Sequence, residues 1–111
     1  MAQETQFDLV IIGSGPGGYV AAVRAAQLDL KTAVVEKHSR LGGVCLNVGC
    51  IPSKAMLDAS EYYHLAKDRL AEYGVNTGKV SLDLKTMLAR KDKVVEDLTE
   101  NVRKLLEGNN I

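Results

Sequence analysis

An α/β fold is predicted by three observations: two short β-branched runs about 20 residues apart, an Ala-rich helical stretch between them, and a glycine cluster where the first run meets that stretch. Phe7-Asp8-Leu9-Val10-Ile11-Ile12 reads as the first strand, buried on both faces as parallel strands are. Pro16 to about Leu28 reads as a helix, with Pro16 in the first turn, where its missing N–H is not needed. Thr32 to Glu36 is the second strand, so the unit is a right-handed βαβ crossover with a parallel pair.

A polar loop covers Lys37 to Gly43. Val44 to about Tyr73 is mostly helical, but Gly49 and Pro52 predict a break or kink. Met56, Leu57, Ala59, Tyr62, Tyr63, Ala66 and Leu70 approximate one face of that segment, and Gly74 closes it. After a turn at Asn76 to Gly78 comes the clearest amphipathic helix, Asp83 to Glu107. Its apolar face carries Leu84, Met87, Leu88, Val94, Val95, Leu98, Val102, Leu105 and Leu106; Ser81 or Asp83 supplies the N-cap, and Gly108-Asn109-Asn110 the stop.

The 111 residues allow one core rather than two. Fourteen basic residues balance fourteen acidic ones, so the chain carries no field suited to nucleic acid or an acidic membrane. No apolar run approaches the roughly 18 to 20 residues of a membrane span. Met1 to Gln6 has neither an apolar core nor an Arg-rich amphipathic pattern, so no leader is expected and a cytoplasmic location is the default.

Gly13-Ser14-Gly15-Pro16-Gly17-Gly18 is a G-x-G-x-x-G pattern lying between the strand and the helix, which is the context of a dinucleotide turn. Gly13 permits the turn, Gly15 lets a pyrophosphate approach the backbone, and Gly18 lets the helix lie against the strand. Glu36 stands 18 residues beyond Gly18, close to the roughly 20 expected of a ribose-binding carboxylate. A carboxylate there opposes a 2′-phosphate, so the ligand is FAD or NAD rather than NADP.

Cys45 and Cys50 form a C-x4-C pair. In a regular helix their Cα atoms would be roughly 8 to 9 Å apart, beyond the roughly 7 Å reach of a disulfide, so a bridge needs the helix distorted, as Gly49 and Pro52 allow. A helix start near Gly43 to Cys45, and Lys54 one turn after Cys50, are expected to favour a thiolate. The pair reads as a redox couple. His38 and His64 stand at no ligand spacing, and no metal site is expected.

The stretch Leu41-Gly42-Gly43-Val44-Cys45-Leu46-Asn47-Val48-Gly49-Cys50-Ile51-Pro52-Ser53-Lys54 resembles the redox-disulfide signature of the flavoprotein disulfide reductases, and its CLNVGCIPSK form is most similar to the branch that oxidises dihydrolipoyl groups. The likeness runs over essentially the whole chain. Val44 departs from the pattern, where many members have Thr.

The resemblance implies the N-terminal part of a Rossmann-like FAD-binding domain at residues 1–111: a βαβ unit, a distorted disulfide-bearing helix and a long amphipathic helix. It implies FAD pyrophosphate at Gly13, Gly15, Gly17 and Gly18, and adenosine ribose at Glu36 with Lys37 beside it. Gly42, Gly43, Val44 and Cys45 would line the flavin side, with Lys54 near the flavin ring. Cys45 would be the interchange thiol and Cys50 the thiolate facing the flavin, so that dihydrolipoyl groups are oxidised to lipoyl groups and NAD is reduced to NADH. Homodimerisation and lipoyl domains of 2-oxo acid dehydrogenase complexes as partners follow from the same likeness. Family members also carry an NAD domain, a dimerisation domain and a His-Glu acid/base pair that have no counterpart in this sequence. The alternatives are a mercuric or glutathione reductase-like enzyme, or a non-catalytic flavin-binding fragment.

Overall fold

A computed structural model describes residues 4–111; Met1 to Gln3, half of the stretch read for a leader, lie outside it. The elements follow the order β1 (Leu9–Ile12), α1 (Pro16–Gln27), β2 (Thr32–Val35), α2 (Gly43–Val48), α3 (Cys50–His64), a π-helical turn (Leu65–Arg69), a 3-10 turn (Leu70–Tyr73) and α4 (Leu84–Gly108). The strands pair in parallel, from Leu9 opposite Thr32 to Ile12 opposite Val35. This is the expected βαβ unit.

Both strands are shorter than the sequence suggests, because their outer residues bond elsewhere. Asp8 accepts the Lys31 backbone N–H on its carboxylate at 2.8 Å, tying the chain before the ladder begins. Glu36 falls just beyond β2 and turns back to the glycine loop.

The core is a seam where α1, α2 and α4 meet: Ala22, Leu46, Val102 and Leu106 are buried together, with Ile11, Val34, Ile51, Leu98 and Ile111 packed around them. Ala22 is small enough to let α1 and α4 approach closely, and the i, i+4 pair Val102 and Leu106 presents one stripe of α4 to it. Only one face of the sheet is covered. Val10, Ile12 and Val35 on the other are 52%, 87% and 54% exposed, although parallel sheets are ordinarily covered on both faces.

Beyond the core, α3 and the first half of α4 run side by side as an arm that gives the molecule its 69 × 28 × 18 Å extents. The arm is two helices thick, too thin to bury whole apolar stripes. Leu57, Tyr62, Leu84 and Leu88 therefore stay exposed, against the expectation of a continuous packed face, and Ala55 is the buried residue of α3. Asp83 is the N-cap of α4, accepting the Thr86 N–H at 3.1 Å. Gly108 is the last helical residue rather than the stop; the left-handed residue is Asn110, at φ 60°.

Where a mostly helical segment was expected up to about Tyr73, the chain after His64 widens into a π turn and then tightens into a 3-10 turn. The Ala66 carbonyl there accepts the Thr77 hydroxyl at 3.1 Å. Gly74, left-handed at φ 76°, closes the segment as expected. Among the described residues no helix is long and apolar enough to cross a membrane.

Candidate functional site

The glycine turn between β1 and α1 is formed by close approach. A Cβ on Gly18 would lie 2.0 Å from the Gly13 carbonyl oxygen, so no larger residue fits where α1 crosses the strand end. At Gly13 and Gly17 a Cβ would meet no atom within 4 Å, which leaves the outer side of the turn open. The Gly13 N–H continues the ladder to the Val35 carbonyl at 2.7 Å, which fixes the turn against β2.

Ser14, between the first two glycines, is completely buried. Its N–H and hydroxyl both donate to Glu36 Oε2, at 3.0 and 2.6 Å, and Oε1 accepts the His38 N–H at 2.9 Å. These donors, led by the Ser14 hydroxyl, lower the Glu36 pKa to about 2, because each stabilises the ionised form. Lys37 adds a weaker contribution through its backbone; its side chain is exposed. The carboxylate is thus fixed and ionised at the end of β2, with Oε1 still able to accept a further donor such as a ribose hydroxyl. Sequence reasoning passed over Ser14 as the variable position of the pattern.

The cysteine segment closes onto the same turn. The Gly42 N–H lies 3.0 Å from the Ser14 carbonyl and 3.2 Å from its hydroxyl oxygen. Gly43, at φ 64°, packs so closely that a Cβ there would sit 2.7 Å from Gly15 Cα. One short region therefore holds Gly13, Gly15, Glu36, Gly42 and Gly43. An open cleft of about 470 Å³ borders it, lined by His38, Ser39, Arg40, Gly43, Val44, Asn47 and Val48. Val44 and Val48 project outward, 73% and 76% exposed. An acidic anchor and a glycine turn open on its outer side suit the ribose and pyrophosphate of a dinucleotide; the adjoining cleft is lined by neither cysteine nor by Lys54.

The expected helix break is at Gly49 (φ −123°, ψ −110°), which separates α2 from α3; Pro52 sits in the first turn of α3 and breaks nothing. Cys45 ends up half-buried on α2 and Cys50 exposed at the start of α3. The two side chains are neighbours, with a hydrogen bond between the Cys45 and Cys50 sulfurs. The expected thiolate preference does not hold for Cys45. Its pKa is raised, first because the neighbouring Cys50 sulfur holds its proton and second by burial; Lys54 pulls the other way through its charge, but more weakly. His64 pairs with Asp68 at 3.1 Å on the arm, away from this region, and His38 contributes its backbone rather than its ring.

A family model described as pyridine nucleotide-disulphide oxidoreductase matches residues 7–111, and the chain belongs to that family. Within it, the chain is 57% identical over 104 residues to dihydrolipoyl dehydrogenase 2, mitochondrial, of Arabidopsis thaliana, covering 94% of this chain and 20% of that protein. It is 54% identical to the mitochondrial dihydrolipoyl dehydrogenase of Pisum sativum, covering 94% and 21%. It is 53% identical to a leghemoglobin reductase of Vigna unguiculata, covering 94% and 20%. The chain thus spans about a fifth of the length of the curated relatives it matches. The cytoplasmic expectation is overturned by these relatives, several of which are named as mitochondrial. That expectation rested on the absence of a leader pattern in six residues, a weak basis for assigning a compartment.

Proposed function

We propose that residues 1–111 are the N-terminal part of the FAD-binding domain of a dihydrolipoyl dehydrogenase, acting as a homodimer on lipoyl domains of 2-oxo acid dehydrogenase complexes, with the NAD and dimerisation domains on further sequence. The observation that carries the reading is the helix break at Gly49: it makes Cys45 and Cys50 neighbours beside a glycine turn that Gly43 closes. The names of the relatives favour dihydrolipoyl substrates over mercuric ion or glutathione.

In this reading Gly13, Gly15, Gly17 and Gly18 take the pyrophosphate, while Glu36, with Lys37 beside it, holds the ribose. Gly42, Gly43, Val44 and Cys45 line the flavin side, with Lys54 supplying positive charge there. FAD, when bound, supplies a two-electron acceptor that passes the pair on to NAD⁺.

The work of this chain is thiol–disulfide exchange. With Cys45 and Cys50 oxidised, one thiolate of the dihydrolipoyl group attacks the Cys45 sulfur; the Cys45–Cys50 bond breaks and Cys50 leaves as a thiolate. The second lipoyl thiolate attacks its own partner sulfur in the mixed disulfide, the lipoyl ring closes, the bond to Cys45 breaks, and Cys45 leaves as the second thiolate. Cys45 then takes up a proton, in keeping with its raised pKa. Of the two protons the substrate gives up to a base outside this chain, one returns to Cys45 and one is released. The substrate loses two electrons and the cysteine pair gains two.

The test is NADH formation from dihydrolipoamide by the full-length protein, wild type against Cys45→Ser. Turnover that vanishes in the variant supports the reading; unchanged turnover, or none in the wild type, overturns it.

A further inference from the structure

Asn47 lies between the two cysteines and has no part in the exchange just described. Its side-chain NH₂ donates to two backbone carbonyls, Leu41 at 3.0 Å and Gly43 at 2.9 Å. It thereby grips both ends of the Leu41–Gly43 turn, whose middle residue is held from the other side by Ser14. Without that grip the turn keeps the Ser14 bonds to Gly42 and the packing of Leu41 on the core, but loses both hydrogen bonds to its end carbonyls, which loosens the seat of Gly43 on Gly15. Cys45 is two residues from Asn47 on the same short helix, which Leu46 anchors in the core, so the Asn47 amide adds the polar tie between that helix and the turn seated on Gly15.

We propose that Asn47 is a positioning residue for the redox pair, registering α2, and Cys45 with it, on the Gly13–Gly18 turn. The proposal rests on the reading of that turn and the cysteine pair as one flavin-holding redox site. The chemistry demanded is narrow, because two carbonyl acceptors need two donors on one short arm. Aspartate has the shape but no donor and would set a carboxylate against two carbonyl oxygens; alanine removes the contact altogether.

The experiment uses the full-length protein as wild type, Asn47→Ala and Asn47→Asp, with two readouts. In the flavin-stripped, reduced protein, the alkylation rates of Cys45 and Cys50 by iodoacetamide are followed by mass spectrometry. In parallel, FAD affinity is measured by fluorescence titration. The expected result is that both variants raise the Cys45 rate relative to Cys50, because Cys45 is no longer held against its neighbour. Both also weaken FAD binding about tenfold, which corresponds to about 1.4 kcal/mol.

Unchanged alkylation ratios in both variants overturn the proposal, and so does a change in Asn47→Ala alone, since aspartate would suffice if Asn47 merely filled space. If wild type binds no FAD, the functional reading fails while the flavin-free alkylation arm still decides the role of Asn47. Should the variants fail to fold, the wild-type Asn47 side-chain amide protons read by NMR decide it: both protected from exchange supports the grip, and free exchange overturns it.

Discussion

Ser14 gives both its backbone N–H and its hydroxyl to one carboxylate oxygen of Glu36, at 3.0 and 2.6 Å and across 22 residues of sequence. The same serine accepts the Gly42 N–H, so one buried side chain joins the glycine turn, the end of β2 and the cysteine segment. The relationship makes Glu36 part of the turn's architecture, beside the ribose-binding role proposed for it. Ser14→Ala removes the leading cause of the low Glu36 pKa and leaves the backbone donor in place. The carboxylate pKa then rises from about 2 toward its ordinary 4.5, which carbon-detected NMR titration would show; an unmoved pKa would mean that the hydroxyl is not the dominant donor.

The same shift sets an acid limit. A carboxylate whose pKa is lower in the folded state contributes stability that is fully present above its unfolded pKa and lost as pH falls through the folded one. With a folded value of about 2 and an ordinary value of 4.5, the Glu36 contribution is complete at neutral pH and decays between those two values. Glu36→Gln should therefore lower the melting temperature at pH 7 and make little difference near pH 2. A melting-temperature gap that grows on acidification contradicts the sign.

Cys45 titrates in the opposite direction. Its thiol is held protonated chiefly by the Cys50 sulfur, so in the reduced protein Cys45 should alkylate slowly until the pH passes its ordinary 9.0. Cys50→Ala removes that hydrogen-bond partner and leaves the Lys54 charge, which favours the thiolate. The pH midpoint for Cys45 alkylation should fall in that variant. A midpoint that stays put would assign the upward shift to burial alone.

Two glycines are fixed by contact. Gly18→Ala would bring a methyl to 2.0 Å from the Gly13 carbonyl oxygen, a backbone atom that cannot swing aside. It should destabilise by at least the roughly 1–3 kcal/mol typical of overpacking. Gly43→Ala combines a 2.7 Å approach to Gly15 with a left-handed φ of 64°, which adds about 1–2 kcal/mol. Gly17→Ala, with open space around it, should be nearly neutral for stability. Urea denaturation midpoints of the three variants check the order, and equal midpoints would contradict it.

How much of this could be read from residues alone depends on what each position does. The βαβ unit was legible because Leu9–Ile12 and Thr32–Val35 carry a β-branched signal and Pro16 and the glycines punctuate it. The break between the cysteines was legible because Gly49 interrupts a helical stretch, though Pro52 gave a false second signal: a proline in the first helical turn has no N–H partner to lose.

Packing was harder to read. Leu57, Tyr62 and Leu88 fit a helical face, yet remain exposed because the arm has only one partner helix for them. Sequence periodicity says which side is apolar and not what covers it. Ser14 and Asn47 were illegible for a different reason. Small polar residues are common in turns and short helices, and their importance here comes from carbonyls and carboxylates brought to them across 22 residues, or from within a turn whose shape periodicity does not encode.

Whether the glycine turn and the cysteine pair form one flavin-holding redox site is decided by a visible absorption spectrum of the purified full-length protein during anaerobic titration with dithionite. A single site of that kind retains flavin absorbance after desalting and shows a long-wavelength band at two electrons per flavin that is absent in Cys50→Ser. Flavin lost on desalting, or a band that persists unchanged without Cys50, would contradict it.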